Sequence, residues 1–228
     1  MRYLIFGAGL FGKSLARRLT ELGAQVYVVD HNEAAVEEIK DSVAGAIVGE
    51  STEREIVTQI VEKVKPDVCA VCFGESFDAT LLATIYLKEL GIQHIIARAS
   101  NHLQKQILHK LGVEQVVLPE VMMGERTGEH IILGESEFLP LDADNAVARV
   151  RVPEKLESQP PDAIPLKKYS LTLLFVHRMY LRGKVFKIIF PPELDEIAGG
   201  DNLVVLGNPG KVAEFVKELH AGVRNEKG

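Results

Sequence analysis

Three glycines near the start of the chain have the spacing of a phosphate-binding turn. Gly7, Gly9 and Gly12 follow an apolar run at residues 3–6 and precede a run with helical spacing, which is the strand–turn–helix context that the motif needs. The first glycine allows a sharp turn, the second leaves room for a pyrophosphate, and the third lets helix and strand pack closely. The N–H groups of the helix N-terminus would bind the phosphates. The residues predicted to form this cradle are Gly7, Ala8, Gly9, Leu10, Phe11 and Gly12.

An acidic residue follows the second predicted strand. Asp30 comes directly after residues 25–29, at about the distance from the glycines where a carboxylate accepts hydrogen bonds from ribose hydroxyls. A carboxylate at this place repels a 2′-phosphate, so NADP is disfavoured. The alternative for Asp30 is a helix N-cap. The adjacent His31 either stacks on adenine or lies in an exposed loop.

Further polar residues follow the later strands of the predicted sheet. The carboxyl ends of the strands in an open α/β sheet form the edge where ligands bind, so side chains at this edge are candidates for the adenine and ribose contacts. Helix capping explains Ser51 equally well. Arg98 ends the fifth predicted strand, and a surface salt bridge is its alternative role. The remaining candidates at this edge are Glu50, Thr52, Gly74 and Glu75.

The first half of the chain alternates short β-branched runs with helical patterns. This alternation predicts an α/β fold with a doubly wound, Rossmann-like parallel sheet and helices on both faces. The predicted strands are 2–6, 25–29, 46–48, 68–73, 94–97 and 115–118, and the predicted helices include 52–64, capped by Ser51, and 78–90.

The second half of the chain predicts a small α+β domain. Its predicted strands are 146–152, 170–177, 185–190 and 201–206, with Arg182-Gly183 as a hairpin turn and a closing helix at 212–219. The expected organisation is a nucleotide-binding domain at 1–120, a connecting helix at 121–136, a C-terminal α+β domain at 137–222 and a frayed tail at 223–228.

Composition argues against several classes of partner. The 228 residues carry a formal net charge of −6, which gives no electrostatic footprint for nucleic acid. No stretch approaches the roughly 20 apolar residues that cross a bilayer, so neither membrane insertion nor a signal sequence is expected and the chain is expected in the cytoplasm. Cys69 and Cys72 form a C-x-x-C pair, but in a strand residues three apart point to opposite faces. Buried thiols are favoured over a redox pair.

Several segments taken together resemble one family, the RCK regulators of potassium conductance, also called Ktr/Trk-type potassium-transport regulatory subunits. The resemblance spans nearly the whole chain and combines the glycine motif, Asp30 and five later segments. These later segments are residues 81–91, 97–101, 118–120, 170–174 and 200–207.

This resemblance implies a homo-oligomer, an octameric ring built from dimers, at the inner face of the cell membrane beneath a potassium channel or transporter. It implies that each N-terminal domain binds ADP, ATP, AMP or NAD(H), that ligand exchange changes the shape of the ring and gates the pore, and that there is no catalytic step. Arg98 matches a basic residue that holds the nucleotide phosphates. Glu120 matches a glutamate that helps to coordinate a divalent or monovalent cation, its alternative being a first-turn acid of the connecting helix.

One residue of the motif departs from the family. Many relatives carry an arginine at the position of Leu10, and that arginine reaches the terminal phosphate of a nucleotide in a neighbouring subunit. Leucine cannot neutralise a phosphate, so this residue does not support activation specific to ATP. Either Lys13 compensates from the first helical turn, or the ligand is ADP, AMP or NAD(H).

Two other functional classes would need residues that a regulator does not need. A small NAD-dependent oxidoreductase would need an acid or base over the nicotinamide, and its candidates outside the first half are His130 and His177. A redox-sensing transcription factor would need a basic recognition helix, which the sequence does not offer.

Residues 163–192 contain no acid, so their basic side chains form either an anion site, a partner-binding face or an exposed hairpin. These are Lys167, Lys168, Arg178, Arg182, Lys184 and Lys187.

Overall fold

The computed structural model describes residues 1–74, 76–133, 137–142, 144–180 and 185–221. The chain divides into two compact units, Met1–Gly124 and Glu125–Gly228. The division falls within the helix that was predicted to connect two domains.

The N-terminal unit is an open, doubly wound α/β sheet. Its strands are all parallel and lie in the order β3-β2-β1-β4-β5-β6. Successive strands are added on one side of β1 as far as β3 and then on its other side from β4 onward, which confirms the predicted doubly wound fold class. The strands are β1 (Arg2–Phe6), β2 (Gln25–Asp30), β3 (Gly45–Val48), β4 (Val68–Val71), β5 (His94–Arg98) and β6 (Gln115–Val117). The helices are α1 (Leu10–Glu21), α2 (Glu33–Ile39), α3 (Arg54–Val64), α4 (Phe77–Glu89), α5 (His102–Lys110) and α6 (Pro119–Leu133).

Apolar residues on both faces of the central strands explain why this sheet is covered on both sides. Leu4 and Phe6 of β1 are fully buried in a core formed with α3, α4 and α5. Ile5, between them, lies in a second core with residues of α1 and α2. Because successive side chains of a strand point to opposite faces, the continuous apolar run of β1 requires helices on both faces.

Three helices of this unit end where the sequence has a glycine, and one helix begins later than the sequence predicts. The chain leaves α1, α4 and α5 at Gly23, Gly91 and Gly112, with φ of 86°, 79° and 80°, a backbone conformation that favours glycine at a helix end. The prediction that Ser51 caps a helix starting at residue 52 is wrong. The helix begins at Arg54 after Glu53, because the chain first makes a turn in which the Glu53 N–H donates to the carbonyl of Glu50.

The C-terminal unit is a five-stranded antiparallel sheet with one long helix packed on it. The strand order is β10-β9-β11-β8-β7, and the core lies between this sheet, the helix and a short 3-10 turn at Pro165–Tyr169. The elements are β7 (Glu137–Pro140), β8 (Ala146–Arg151), β9 (Thr172–Tyr180), β10 (Val185–Ile189), β11 (Asn202–Gly207) and α7 (Pro209–Ala221). The α+β prediction is confirmed, but β7 was not predicted.

Two sequence predictions fall on residues that the structure does not describe. The strands β9 and β10 pair with each other in antiparallel register as predicted, whereas the turn residues Arg182 and Gly183 lie outside the described ranges. The tail predicted at 223–228 also lies outside them.

Lys168 and Arg178 of the acid-free stretch pair with acids elsewhere in the C-terminal unit. Lys168 donates to Glu218 of α7, and Arg178 makes a bidentate contact with Asp201. The structure therefore contradicts an exposed hairpin for Arg178, because strand pairing brings it onto a buried acid. Arg182 and Lys184 lie outside the described residues.

Both cysteines are free and buried, and they face different cores. Cys69 packs in the core that contains Leu4, and Cys72 in the core that contains Ile5. Burial raises the pKa of each thiol to about 12. The prediction of buried thiols is confirmed.

We expect neither cysteine to react with a thiol reagent in the folded protein. With the pKa raised, only about one thiol in ten thousand is ionised at pH 8, and the thiolate is the reactive form. Labelling with a chromogenic disulfide reagent should show no reactive thiol in native protein and two after unfolding in guanidinium. Rapid native labelling of either residue would contradict this assignment.

Candidate nucleotide-binding site

The glycine turn joins β1 to α1 with each glycine in a different role. Gly7 has φ of 102°, and its N–H donates to the carbonyl of Val29 at 2.8 Å. A Cβ on Gly12 would lie 1.9 Å from the carbonyl oxygen of Gly7, whereas a Cβ on Gly9 would meet nothing within 4 Å. Gly7 and Gly12 are thus required by the fold itself, and Gly9 leaves open space in front of the helix.

Asp30 ends β2 and is bonded to the glycine turn. Its Oδ2 accepts a hydrogen bond of 2.6 Å from the N–H of Ala8, and its Oδ1 accepts one of 2.8 Å from the N–H of Asn32. Asn32, and not Asp30, caps α2, since its side chain accepts from Ala34 and Ala35. The carboxylate is 12% exposed, and its fixed orientation leaves acceptor lone pairs for further donors.

The side chain of His31 is exposed beside this carboxylate. Its Nδ1 lies 3.5 Å from Oδ1 of Asp30, and its side chain is 74% exposed. The structure therefore places His31 in an exposed loop at the ligand edge, where stacking on a base stays a prediction.

Glu50 and Thr52 form a small polar turn after β3. The carboxylate of Glu50 accepts from the N–H of Thr52 at 3.1 Å and from its hydroxyl at 2.8 Å. These hydrogen bonds hold the pKa of Glu50 below its usual range. Gly49 donates to the carbonyl of Asp30 at 3.0 Å, which brings this turn beside the end of β2. Ser51 is buried.

Arg98 extends from the end of β5 across the end of β4. A Cβ on Gly74, which follows β4, would lie 2.7 Å from Nη1 of Arg98. The guanidinium carbon lies 5.9 Å from the ring centre of Phe11 in the first turn of α1, and Nη2 donates to the carboxylate of Glu120. The structure therefore brings Arg98, Phe11 and Gly74 together at the point where the strand order reverses. Glu75 lies outside the described residues.

The pairing between Arg98 and Glu120 was not predicted from the sequence. Glu120 lies in the first turn of α6, the helix that follows β6, and β5 and β6 are neighbours in the sheet. The adjacency of these two strands in a doubly wound sheet was the signal that could have found it. The cation predicted at Glu120 stays a prediction, and no cluster of three or more His, Cys, Asp and Glu side chains that could hold a metal ion occurs in the described part of the chain.

The start of α1 offers little positive charge from side chains. Leu10 is the first residue of α1 and is 85% exposed. Lys13 donates to Glu38 of α2, so its charge is already matched. For Lys13 to supply the positive charge that Leu10 lacks, its pair with Glu38 would have to break.

The comparison with known families places this site in context. Residues 3–119 match the TrkA-N domain, a segment that includes the glycine turn, Asp30 and Arg98 and ends one residue before Glu120. The chain belongs to the TrkA-N domain family. The resemblance to RCK and Ktr/Trk-type proteins inferred from the sequence is confirmed.

Full-length relatives of this TrkA-N protein are named for potassium uptake. The chain is 26% identical over 219 residues to Ktr system potassium uptake protein C of Bacillus subtilis, covering 95% of this chain and 96% of that protein. It is 29% identical over 220 residues to Ktr system potassium uptake protein A of Vibrio alginolyticus, covering 96% and 97%. Neither relative is named as an enzyme, which agrees with the prediction of no catalytic step.

Solved structures show the same fold. The GsuK RCK domain superimposes with a TM-score of 0.60 at 16% identity, covering 93% of this chain and 46% of that one. The GsuK channel bound to NAD gives a TM-score of 0.59 at 16% identity and covers 94% and 39%. The chain thus spans less than half the length of these structures.

The candidate bases of the oxidoreductase alternative gain no support. The ring of His177 stacks on Phe186 at 4.5 Å between ring centres, within the β9–β10 pair. The side chain of His130 lies outside the described part.

No helix among the described residues has both the length and the apolar composition needed to cross a bilayer.

Proposed function

We propose that this TrkA-N protein is a nucleotide-sensing regulatory subunit of a membrane potassium uptake system. The two relatives described above, each matched over almost its whole length, are named as potassium uptake proteins. In this proposal the chain forms a homo-oligomeric ring, an octamer built from dimers, at the cytoplasmic face of the membrane. Ligand binding changes the conformation of the ring and so gates the transporter or channel subunit.

The position of Asp30 is the observation that carries this proposal. Its carboxylate is held at the carboxyl end of β2 by the N–H groups of Ala8 and Asn32, next to the turn where a pyrophosphate would lie. Vicinal ribose hydroxyls can donate to its remaining lone pairs, and hydrogen bonds to a charged group are stronger than neutral ones. These hydrogen bonds also tie the glycine turn to β2, so the support for a ligand is the carboxylate's remaining acceptor capacity beside the open space at Gly9.

The proposed ligand is an adenine nucleotide, ADP, ATP or AMP, or NAD(H). The similar GsuK channel was solved with NAD bound, and the acid at Asp30 disfavours NADP by repelling its 2′-phosphate. In the proposed site the cradle residues 7–12 bind the phosphates, and Arg98 contributes a positive charge. The turn at Glu50 and Thr52, with Ser51, Gly74 and His31, forms the adenine and ribose side, and Glu75, which lies outside the described residues, is assigned to this side from the sequence alone.

The proposed division of labour follows the domain boundaries expected from the sequence. Residues 1–120 bind the nucleotide, residues 121–136 connect the two domains, and residues 137–222 form the C-terminal domain.

Native mass spectrometry tests the assembly, since a strictly monomeric protein at micromolar concentration would contradict the ring. Mass spectrometry of the nucleotide released from purified protein identifies the ligand.

Replacing Asp30 with alanine should weaken NAD and ADP binding about 10- to 100-fold, the range expected for losing hydrogen bonds to a partly buried charged acceptor. Isothermal titration calorimetry measures this, and NADP should bind wild-type protein more weakly than NAD does. The control is Asp41→Ala, which removes an exposed carboxylate in the same unit. Unchanged affinity in Asp30→Ala, or equal affinities of the wild type for NAD and NADP, would contradict the ribose assignment.

A further inference from the structure

The strand β10 forms one edge of the sheet in the C-terminal unit. In the strand order β10-β9-β11-β8-β7 its neighbour is β9, and none of the described strands pairs with its other side. A regular, exposed edge strand is a template for pairing with a further strand, which many proteins prevent with prolines, bulges or charged side chains. Residues 185–189 pair with β9 without a register shift, contain no proline and carry a single charge, Lys187. This edge is therefore open to a further strand.

Three large apolar side chains lie in a row along this edge. Phe186, Ile188 and Phe190 are 52%, 52% and 54% exposed, whereas Ile189 is buried in the core of the unit. Because alternate residues of a strand point to the same face, the three side chains share the face of the sheet that points away from this core. Contiguous exposed apolar side chains mark contact surfaces on soluble proteins. We call these three side chains the β10 row.

Side chains of β9 support both phenylalanines of the β10 row. The ring of His177 stacks on Phe186 with 4.5 Å between ring centres, and the ring of Phe175 meets Phe190 edge-on at 6.0 Å. Met179, which lies opposite Phe186 in the strand pair, is 43% exposed and extends the apolar surface onto β9. Side chains that are already held in place lose less conformational freedom when a partner binds.

The alternation along this edge is symmetric about Ile188, because the residues two positions before and after it are both phenylalanine. If two copies pair in antiparallel register about a two-fold axis at Ile188, this residue lies opposite itself, and Phe186 lies opposite Phe190 of the second copy. Aromatic residues directly opposite each other stabilise an antiparallel pair, whereas like charges destabilise it. This axis places Lys187 opposite Ile189 of the second copy, whereas an axis at Lys187 would bring two lysines together. The edge therefore matches itself in one register.

The size and the chemistry of the edge also decide between possible occupants. The half-exposed β10 row offers roughly 300 Å² per copy, which is less than the about 800 Å² that each partner buries in a standard interface. The edge is therefore suited to one contact within an assembly that has several. A lipid surface would leave the backbone groups of the edge without hydrogen-bond partners and would meet a single charge of β10, whereas a second strand satisfies these groups.

We propose that β10 pairs with β10 of a second copy of this chain, antiparallel about Ile188, so that two five-stranded sheets join into one sheet of ten strands. This inference rests on the proposed homo-oligomer and names the strand, the register and the side chains of one of its contacts. In the joined sheet the two β10 rows form one continuous apolar strip, with Ile188 of both copies at its centre.

The first test is disulfide cross-linking of the full-length protein with copper phenanthroline. Both native thiols are buried, so an intermolecular disulfide reports on the introduced cysteine. Ile188→Cys should cross-link about tenfold or more faster than Leu139→Cys, because the two-fold axis holds both Cα atoms of residue 188 within the distance that a disulfide spans. Leu139 is the matched control, because it is 63% exposed and lies in β7, at the opposite edge of the same sheet.

A pair of variants tests the register. Phe186→Cys and Phe190→Cys, co-expressed with different tags, should cross-link to each other, because these positions lie opposite each other in the proposed pair. Each variant alone should cross-link no faster than Leu139→Cys, since its two cysteines lie roughly 13 Å apart along the strands. A mixed pair that cross-links no faster than either variant alone overturns the inference.

The same experiments separate this contact from the proposed homo-oligomer. If native mass spectrometry shows an oligomer in which Ile188→Cys cross-links no faster than Leu139→Cys, the inference is overturned and the homo-oligomer stands, with the edge exposed or bound to a different partner. A strictly monomeric protein overturns both.

A charge at the axis gives an independent measurement. Ile188→Lys places two like charges opposite each other, so the largest assembly should dissociate at a protein concentration about tenfold higher than in the wild type. Native mass spectrometry over a dilution series measures this, and the far-UV circular dichroism should match the wild type because Ile188 is half exposed. Leu139→Lys is the control and should dissociate like the wild type. Equal dissociation of Ile188→Lys and Leu139→Lys overturns the inference.

Discussion

Replacing Gly12 with alanine is expected to destabilise the N-terminal unit by about 3 kcal/mol or more and to abolish nucleotide binding, since forcing atoms into a packed interior at a rigid contact exceeds ordinary overpacking. The added Cβ would lie 1.9 Å from the carbonyl oxygen of Gly7 and 3.0 Å from its carbonyl carbon. Both are backbone atoms, so no side-chain rotation can relieve the clash.

The backbone of Gly7 is also unable to move away. Its N–H donates to Val29 at 2.8 Å, its φ of 102° fixes the direction of the turn, and the next N–H, of Ala8, donates to Asp30 at 2.6 Å. Moving Gly7 would break these bonds to β2 and displace the acid assigned to the ribose. Helix α1 must therefore separate from β1 if a side chain is placed at residue 12.

The matched control for Gly12→Ala is Gly9→Ala. A Cβ on Gly9 meets nothing within 4 Å, and Gly9 precedes α1 with an extended backbone that alanine adopts freely. Gly9→Ala should unfold like the wild type but bind nucleotide much more weakly, because the new methyl group occupies the space of the pyrophosphate.

Hydrogen exchange of amides in β1 and β2, with calorimetric titration of nucleotide, measures both effects. Exchange reports on the N-terminal unit alone, which matters because a chain with two compact units need not unfold in a single step. Wild-type stability in Gly12→Ala would contradict the packing argument. Full nucleotide affinity in Gly9→Ala would remove the phosphate cradle from the site.

Most of the N-terminal fold could be predicted from the sequence because its signals are local. The run of β1 is apolar at every position from Leu4 to Phe6, which is typical of a strand covered on both faces. Three helix ends are marked by a residue that adopts a positive φ easily, namely Gly23, Gly91 and Gly112. Each of these signals lies within a few residues of the feature that it predicts.

The features that were not predicted depend on contacts distant in sequence. The short strand β7 shows no clear alternation and exists because it pairs with β8. Ser51 has the type of a cap, but the turn made by Glu50 and Thr52 delays the helix until Arg54. Residue type alone cannot decide between a cap and a turn when both satisfy the same backbone donors.

The residues of the candidate site also differ in whether sequence spacing or a contact distant in sequence determines their positions. Gly7, Gly12 and Asp30 were predicted because motif spacing and strand order determine their positions. The contact of Arg98 with Glu120, Phe11 and Gly74 depends on the path of a long side chain, which the sequence does not specify. Knowing that β5 and β6 are neighbours would have suggested the pair, but not that Arg98 crosses the end of β4.

Replacing Arg178 with methionine should destabilise the C-terminal unit by about 3–5 kcal/mol, the range for removing one partner of a buried ion pair. Arg178 in β9 donates to Asp201 from Nε at 2.8 Å and from Nη2 at 2.7 Å. The side chain of Asp201 is 3% exposed. Without the guanidinium, its charge is left buried, and methionine preserves only the apolar part of the arginine.

The pair also fixes the loop that leads into β11. Nη2 of Arg178 donates to the carbonyl of Glu196 at 2.8 Å, and Oδ2 of Asp201 accepts from the N–H of Ala198 at 2.9 Å. The loss of Arg178 should therefore raise hydrogen exchange first in residues 196–201 and then across β9 and β11.

Two further variants decide whether the cost comes from the buried charge. Lys167→Met is the control, because Lys167 is 96% exposed and 3.9 Å from its partner Asp162, so its loss should cost less than about 0.5 kcal/mol. Arg178→Met combined with Asp201→Asn keeps an acceptor for Ala198 but removes the unpaired charge, and it should be more stable than Arg178→Met alone. If the double variant is no more stable than the single one, the packing of the arginine, and not its charge, stabilises this end of the sheet.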